Sequence, residues 1–193
     1  MTPPDPIAEF KSLLADARAR ETFDATACAL ATSSAAGAPS VRIVLLKDVD
    51  EHGFTFFTNY TSRKGAELDS NPQAALCFYW PTLGVQVRTE GEAKRVSAEE
   101  SQAYFATRPR ESQLGAWASH QSAPLPSRDA LLARFREHET QFSGQPVPCP
   151  PHWGGYRLSP ARIEIWRAGD FRLHDRRLYV RTDTGWSVQT LFP

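Results

Sequence analysis

Apolar positions near the start of the chain recur at helical spacing. In "DPIAEFKSLLADARARE" they fall at Ile7, Phe10, Leu13 and Leu14, which predicts an amphipathic helix behind a proline-rich lead. The period then shortens to that of strands. "ATACALATSS" reads as a strand closed by the turn "AAGAPS". "SVRIVLLKDVDEHGFTFFTNY" reads as a strand ending near Lys47, a turn at "DEHG" and a strand ending at "FFTN". "TSRKGAELDSNP" opens with hydroxyl caps and closes at Asn-Pro, a short helix, and "QAALCFYWP" and "LGVQVRTEGEAKRV" are two more strands, the second with one face in solvent.

Ser97 with Glu100 three residues on marks a capping box, and Pro109 stops the helix that follows. "SRDALLARFREHETQFSG" is another capped helix, ending at Gly144. After a proline-rich connector at 145–153 come "YRLSPARIEIWRAG", "FRLHDRRLYVRT" and "GWSVQTLFP", three strand-like runs separated by turns. Short turns rather than helices join most strands, so the sheet is expected to be largely antiparallel. The fold class is α+β: an antiparallel barrel with peripheral helices, in one domain over residues 1–193 with residues 1–22 as an N-terminal helical arm.

In "DFRLHDRRLY" a strand reading places Arg172, His174 and Arg176 at two-residue spacing on one face. Such a row either lies in solvent or receives something anionic. The chain as a whole does not decide, because 22 basic residues balance 22 acidic ones. That balance argues against a nucleic-acid binder and confines any anion site to a local cluster. Cys28, Cys77 and Cys149 are scattered and odd in number, which fits reduced thiols in the cytoplasm, with Cys28 and Cys77 expected as buried core thiols. There is no secretory leader pattern, and no apolar run approaches the ~20 residues of a membrane span.

Three stretches concentrate the candidate chemistry. Arg42 and Lys47 bracket the apolar "RIVLLK" at opposite ends and faces, where solvent exposure is an equal reading. Thr58, Thr61, Ser62, Arg63 and Lys64 gather hydroxyls and cations at a helix start, a suitable seat for a phosphate, although the spacing of a nucleotide P-loop is absent. Tyr104 and Arg108 lie one helical turn apart, with Arg110 and Ser112 just past the helix stop; this is surface charge or a second anion clamp. Gln86, Gln121 and Ser122 are unremarkable singly. No nucleophile elbow, HExxH motif or metal-ligand cluster occurs. The residues alone therefore describe a β-rich domain with local anion sites and no covalent catalyst.

Taken together and in order, "RIVLLK", "FFTNYTSRKGAEL", "QVRTEGEAKR", "YFATRPRESQLGAWAS", "HQS", "HWGGYRL" and "IEIWRAGDFRLHDR" resemble the pyridoxine/pyridoxamine 5′-phosphate oxidases, from about Asp5 to the last residue. The resemblance implies a homodimeric, FMN-binding split barrel with active sites at the subunit interface. It implies an FMN shell of Arg42, Ile43, Val44, Leu45, Leu46, Lys47, Phe57, Thr58, Arg63, Lys64, Gln86, Gln121, Ser122, Trp166 and Arg176. It gives Lys47, Tyr104, Arg108 and Ser112 as the clamp for the phosphate of a small pyridine substrate. Arg172 and His174 become the catalytic pair over the pyridine ring, so the apparent row is shared between two ligands. The implied chemistry is hydride transfer from substrate C4′ to flavin N5, then reoxidation by O2 to hydrogen peroxide. Arg167, Ala168, Phe57 and Thr190 depart from the family's usual residues.

Two other readings compete. A related FMN oxidase of the phenazine-pathway type would act on a ring without needing the clamp of Lys47, Tyr104, Arg108 and Ser112. A non-catalytic flavin or pyridoxal-phosphate carrier would keep the clamps but not need Arg172 and His174 together.

Overall fold

Asp5 starts the first helix by accepting the Ile7 N–H on its carboxylate at 2.9 Å. Pro6 occupies the first helical turn, where a missing N–H costs nothing. Helix α1 (Pro6–Arg20) buries Ile7, Phe10, Leu14 and Ala17, while Leu13 packs at the margin of the core. Phe10 meets Phe54 and Phe78 edge-on, with ring centroids 4.9 Å away in both cases. Burial of one such ring is worth roughly 1.5–3 kcal/mol, so Phe10 fastens the arm to the body of the protein. The structure, a computed structural model, describes residues 5–193; the first four residues of the expected arm lie outside that range.

The strands are β1 (Ala27–Ser33), β2 (Pro39–Leu45), β3 (Asp48–Asp50), β4 (Gly53–Asn59), β5 (Gln73–Trp80), β6 (Val85–Arg95), β7 (Trp153–Arg167), β8 (Asp175–Thr182) and β9 (Gly185–Thr190). Every ladder is antiparallel, in the order β2-β1-β5-β6-β7-β4-β3, with β8 and β9 branching from β7. β7 pairs with β4 through Trp153–Leu158 and with β8 through Arg162–Arg167, so the sheet splits along that strand. The strand bends where the β6–β7 register shifts between Glu90 and Gly91. Gly91 is required there, since a Cβ would sit 2.1 Å from the Ser159 carbonyl oxygen. Strict alternation along β6 sends Val85, Val87 and Ala93 inward, as the sequence predicts.

The helices α2 (Arg63–Ser70), α3 (Ala98–Ala106), α4 (Arg110–Ala118) and α5 (Arg128–Gln141) lie outside the sheet. A second apolar cluster of Phe105, Leu114, Phe142, Val147 and Trp153 ties α3, α4 and the proline-rich connector to the start of β7. Ser62, Ser97 and Ser127 cap α2, α3 and α5 through their hydroxyls, as expected. No helix among the described residues is long and apolar enough to cross a membrane.

Four expectations are corrected. Residues 170–174 are not strand. Asp170–Arg172 forms a 3-10 turn, with φ of 56° at Phe171 and 64° at Arg172, and β8 begins at Asp175. The chain must reverse here because Arg167 pairs with Asp175, so Arg172, His174 and Arg176 share no strand face. Pro109 not only ends a helix but caps the next, placing Arg110 and Ser112 inside α4 rather than after a stop. β2 ends at Leu45, so Lys47 lies beyond the strand rather than at its end. Cys28 is buried, but Cys77 is half-exposed because it alternates with the core-facing Leu76 and Phe78.

Candidate functional site

Two adjoining clefts open beside β4, sharing Phe57, Thr58 and Gln121. The first encloses about 530 Å³ between β2 and the start of α2, and is lined by Arg42, Ile43, Val44, Arg63, Lys64 and Ser122 as well. Lys64 is its electrostatic centre. Its side chain is among the buried polar groups, 8% exposed, and Nζ donates to Gln121 Oε1 at 2.9 Å, Thr58 Oγ1 at 3.1 Å and Ser62 Oγ at 3.3 Å. No carboxylate pairs with it among the described residues. Burial, with a smaller contribution from the Arg42 charge, pulls its ammonium down to about 8. A buried cation solvated only by neutral oxygens is poised for an anion.

Arg42 and Arg63 flank Lys64 and converge on Glu67. Arg42 Nη2 lies 3.2 Å from Glu67 Oε2, and Arg63 Nε lies 2.9 Å from Glu67 Oε1. Thr32 and Ser40 donate their hydroxyls to Oε2, each at 2.5 Å. Burial alone would raise the Glu67 carboxyl, but Ser40, Thr32, Arg63 and Arg42 together hold it at about 2. Ser122 adopts a φ of 74°, which turns the loop after α4 so that Gln121 and Ser122 face the cleft.

The second cleft holds about 450 Å³ and is lined by Leu45, Lys47, Tyr104, Arg108, Ser112 and Trp153. Phe57, Tyr104 and Trp153 stack as one aromatic wall, with Phe57–Tyr104 centroids 4.0 Å apart and Phe57–Trp153 centroids 5.4 Å apart. The Arg108 guanidinium lies 4.7 Å from the Trp153 ring centroid, and its Nη1 is buried without a hydrogen-bond partner. Tyr104 closes α3 and Arg108 follows in the link to α4, yet both reach this cleft, as their sequence spacing suggests. An orphaned guanidinium nitrogen beside a lysine and two hydroxyls leaves this cleft with an unmet donor, which an anion would satisfy.

The remaining expected residues lie elsewhere. Gln86, Trp166 and Arg176 are register partners across β6, β7 and β8 and form one row on one face. Glu164 Oε1 accepts the Arg176 Nε at 2.9 Å, and the Phe192 carbonyl accepts its Nη1 at 2.9 Å. His174 packs against Trp166 with centroids 4.6 Å apart, and its Nδ1 accepts the Gly169 N–H at 3.2 Å. Neither this row nor Arg172 lines either cleft of the same chain. Leu46 is buried in the main core and offers a ligand no side chain. Reading the sequence missed Glu67, Trp153, Glu164 and Arg88, which also bonds Glu164. For Glu67 a signal existed, its position four residues after Arg63 on a helix.

The family profile described as pyridoxamine 5′-phosphate oxidase matches residues 15–142, and that described as the pyridoxine 5′-phosphate oxidase C-terminal dimerisation region matches residues 153–193. The chain belongs to the pyridoxine/pyridoxamine 5′-phosphate oxidase family. A pyridoxine/pyridoxamine 5′-phosphate oxidase of Anaeromyxobacter dehalogenans is 56% identical over 190 residues, covering 98% of this chain and 96% of the relative. The enzyme of that name from Myxococcus xanthus is 53% identical over 193 residues, covering all of this chain and 94% of the relative. The solved structure of PhzG from Burkholderia lata 383, in complex with tetrahydrophenazine-1-carboxylic acid, superposes with a TM-score of 0.93 at 35% identity, covering 99% of this chain and 94% of that one. An FMN-binding protein related to pyridoxamine 5′-phosphate oxidase, from Nostoc punctiforme, shares the fold with a TM-score of 0.80 at 20% identity, covering both chains fully. The chain is thus an oxidoreductase of this family, with the split-barrel fold that its motifs imply.

Phe57, Arg167, Ala168 and Thr190 each make contacts within the fold. Phe57 joins the aromatic wall, and Arg167 bonds Glu9 of α1 at 2.8 Å. Ala168 donates its N–H to the Gly84 carbonyl at 2.8 Å, and Thr190 pairs with Arg177 across β8 and β9.

The depressed Lys64 sets a pH dependence. A phosphomonoester is already almost fully dianionic above pH 7, its second ionisation lying near 6. Above pH 8 the ligand-free Lys64 is neutral and must take up a proton to pair with it. Affinity for FMN, measured by calorimetry between pH 7 and 9.5, should therefore fall by up to about tenfold per pH unit above 8. A flat profile would contradict the role given to Lys64.

Proposed function

We propose that this chain acts as a homodimer that oxidises pyridoxine 5′-phosphate or pyridoxamine 5′-phosphate to pyridoxal 5′-phosphate. FMN is the cofactor. The observation that carries the reading is the pairing of two cationic clefts, each with a cation that no carboxylate pairs among the described residues and one walled by stacked aromatic rings. Arg42, Arg63, Lys64 and Thr58 hold the FMN phosphate, and Gln121 and Ser122 close that cleft. Lys47, Tyr104, Arg108 and Ser112 hold the substrate phosphate, which fixes the register of the pyridine ring. Bound FMN would supply the two-electron acceptor for the C4′ hydride, with O2 as the final acceptor giving hydrogen peroxide. The alcohol would yield the aldehyde directly with loss of a proton, and the amine an imine that water hydrolyses with release of ammonia.

The second subunit supplies the row of Gln86, Trp166 and Arg176 with the adjoining Arg172 and His174. Support comes from the matched dimerisation region and from the exposed apolar surface of a single chain. Edge strand β2 presents Val41 and Ile43 at 69% and 66% exposure, and the turn before β8 presents Phe171 at 94%. Surface of this kind marks an interface. Two consecutive non-glycine residues with positive φ, Phe171 and Arg172, store strain of the sort that persists at functional turns. Because His174 Nδ1 accepts the Gly169 N–H, its neutral ring carries the proton on Nε2 and offers the substrate a donor. Arg172 provides fixed positive charge beside the ring without moving a proton.

The resemblance to PhzG favours one other reading, oxidation of an unphosphorylated ring. The clamp around Arg108 separates the two. Arg108→Ala should raise the KM for pyridoxine 5′-phosphate by about 30-fold or more while kcat changes little, in line with loss of a charge-assisted contact worth ~2 kcal/mol. An unchanged KM would remove Arg108 from the clamp and favour the unphosphorylated ring.

The shared site is testable by mixing subunits. Lys64→Met and Arg172→Ala homodimers should each be nearly inactive. Heterodimers of the two variants regain one intact site, and activity should recover to about half that of the wild-type dimer. No recovery would place both residues in one subunit's site.

A further inference from the structure

Glu67 is a paradox beside a cleft built for a phosphate. It places a buried negative charge between the two arginines that flank the anion seat. Its oxygens do not face the cleft as free acceptors. Oε2 takes the hydroxyls of Thr32 and Ser40 and the Arg42 Nη2, and Oε1 takes the Arg63 Nε. The carboxylate is saturated by donors, which removes the repulsion a bare carboxylate would offer.

Both arginines are gripped, but to different extents. Arg63 is bound to Glu67 only through Nε, one helical turn away, so both terminal nitrogens remain for a ligand although the side chain is 63% exposed. Without that grip, a solvated arginine would lose side-chain entropy on engaging a phosphate. Arg42 is held at both terminal nitrogens, with Nη1 donating to Thr32 Oγ1 at 2.5 Å and to the Leu30 and Ser40 carbonyls and Nη2 donating to Ser40 and Glu67, so it contributes fixed positive charge rather than a free fork. Charge fits as well: Arg42, Arg63 and Lys64 with one carboxylate leave two positive charges, matching a phosphomonoester dianion.

We infer that Glu67 is a positioning residue for the cofactor phosphate: it aligns Arg42 and Arg63 beforehand, and it sets how strongly the site prefers FMN to riboflavin. Glu67 lines neither cleft and acts through the two arginines. The inference rests on the FMN reading given above. It runs against simple charge counting, by which removing an acid from beside a cationic cleft should tighten the binding of an anion.

The test measures dissociation constants of the full-length, flavin-stripped protein for FMN and for riboflavin, which lacks the phosphate, by quenching of flavin fluorescence. In Glu67→Gln, FMN affinity should fall about tenfold while riboflavin affinity stays within about twofold, so the preference for FMN collapses. A merely structural role would weaken both ligands together, and an unchanged or larger preference would overturn the inference. Thr32→Val guards against misfolding of the first variant. Thr32 does not line the cleft, so any effect must pass through Glu67 and Arg42. It should lower the preference about threefold, and an unchanged ratio would also overturn the inference. If the wild-type protein itself failed to prefer FMN, the cofactor reading would fall with it. A strong wild-type preference that survives both variants removes Glu67 alone.

Discussion

The structure turns on β7. Its first half pairs with β4, which carries Phe57 and Thr58 to the two clefts, and its second half pairs with β8, which carries Arg176. β6 runs beside both halves and must bend with them, so Gly91 meets the Ser159 carbonyl where no side chain fits. This one bent ladder places the anion clefts near one end of a strand and Trp166 near the other. The matched dimerisation region and the exposed apolar residues of β2 and of the turn before β8 accord with assembly of two copies.

Charge in this protein is organised locally rather than globally. The chain is neutral, yet Lys64 and Arg108 are both held partly or wholly out of water without a carboxylate partner. Burying a cation unpaired costs free energy, and a ligand that supplies the missing anion recovers it. The two clefts therefore hold local positive charge open to an anion while the chain as a whole stays balanced. Glu9 shows the same economy in a structural role. It gathers Arg167, Arg177 and Tyr179 around one carboxylate and pins α1 to β7 and β8.

Much of this was legible in the sequence, and the exceptions have physical causes. Apolar spacing disclosed α1, and Ser62, Ser97 and Ser127 announced three helices through their caps. Period-2 alternation also located most of the strands. It failed at "DFRLHDRRLY", where a hairpin reversal overrides the alternation and Arg172 adopts a positive φ that no propensity predicts. α4 was hidden because Pro109 is read equally well as a stop and as a start. At the site, clustered cations and hydroxyls pointed to Lys64 and offered Arg108 as either clamp or surface charge, whereas Arg42 read equally well as a solvent-exposed strand end. Glu67 and Trp153 escaped because a lone glutamate or tryptophan gains meaning only from neighbours distant in sequence. The motif order supplied Gln86 and Trp166, which local chemistry alone left unremarked.

The account comes down to a flavin reduced by a phosphorylated B6 vitamer. The most direct measurement is the visible absorption spectrum of the FMN-loaded protein under anaerobic conditions, before and after addition of pyridoxine 5′-phosphate. The account predicts that the flavin band bleaches and returns on admission of air, with pyridoxal 5′-phosphate formed. A flavin band that stays unchanged with excess substrate would contradict it.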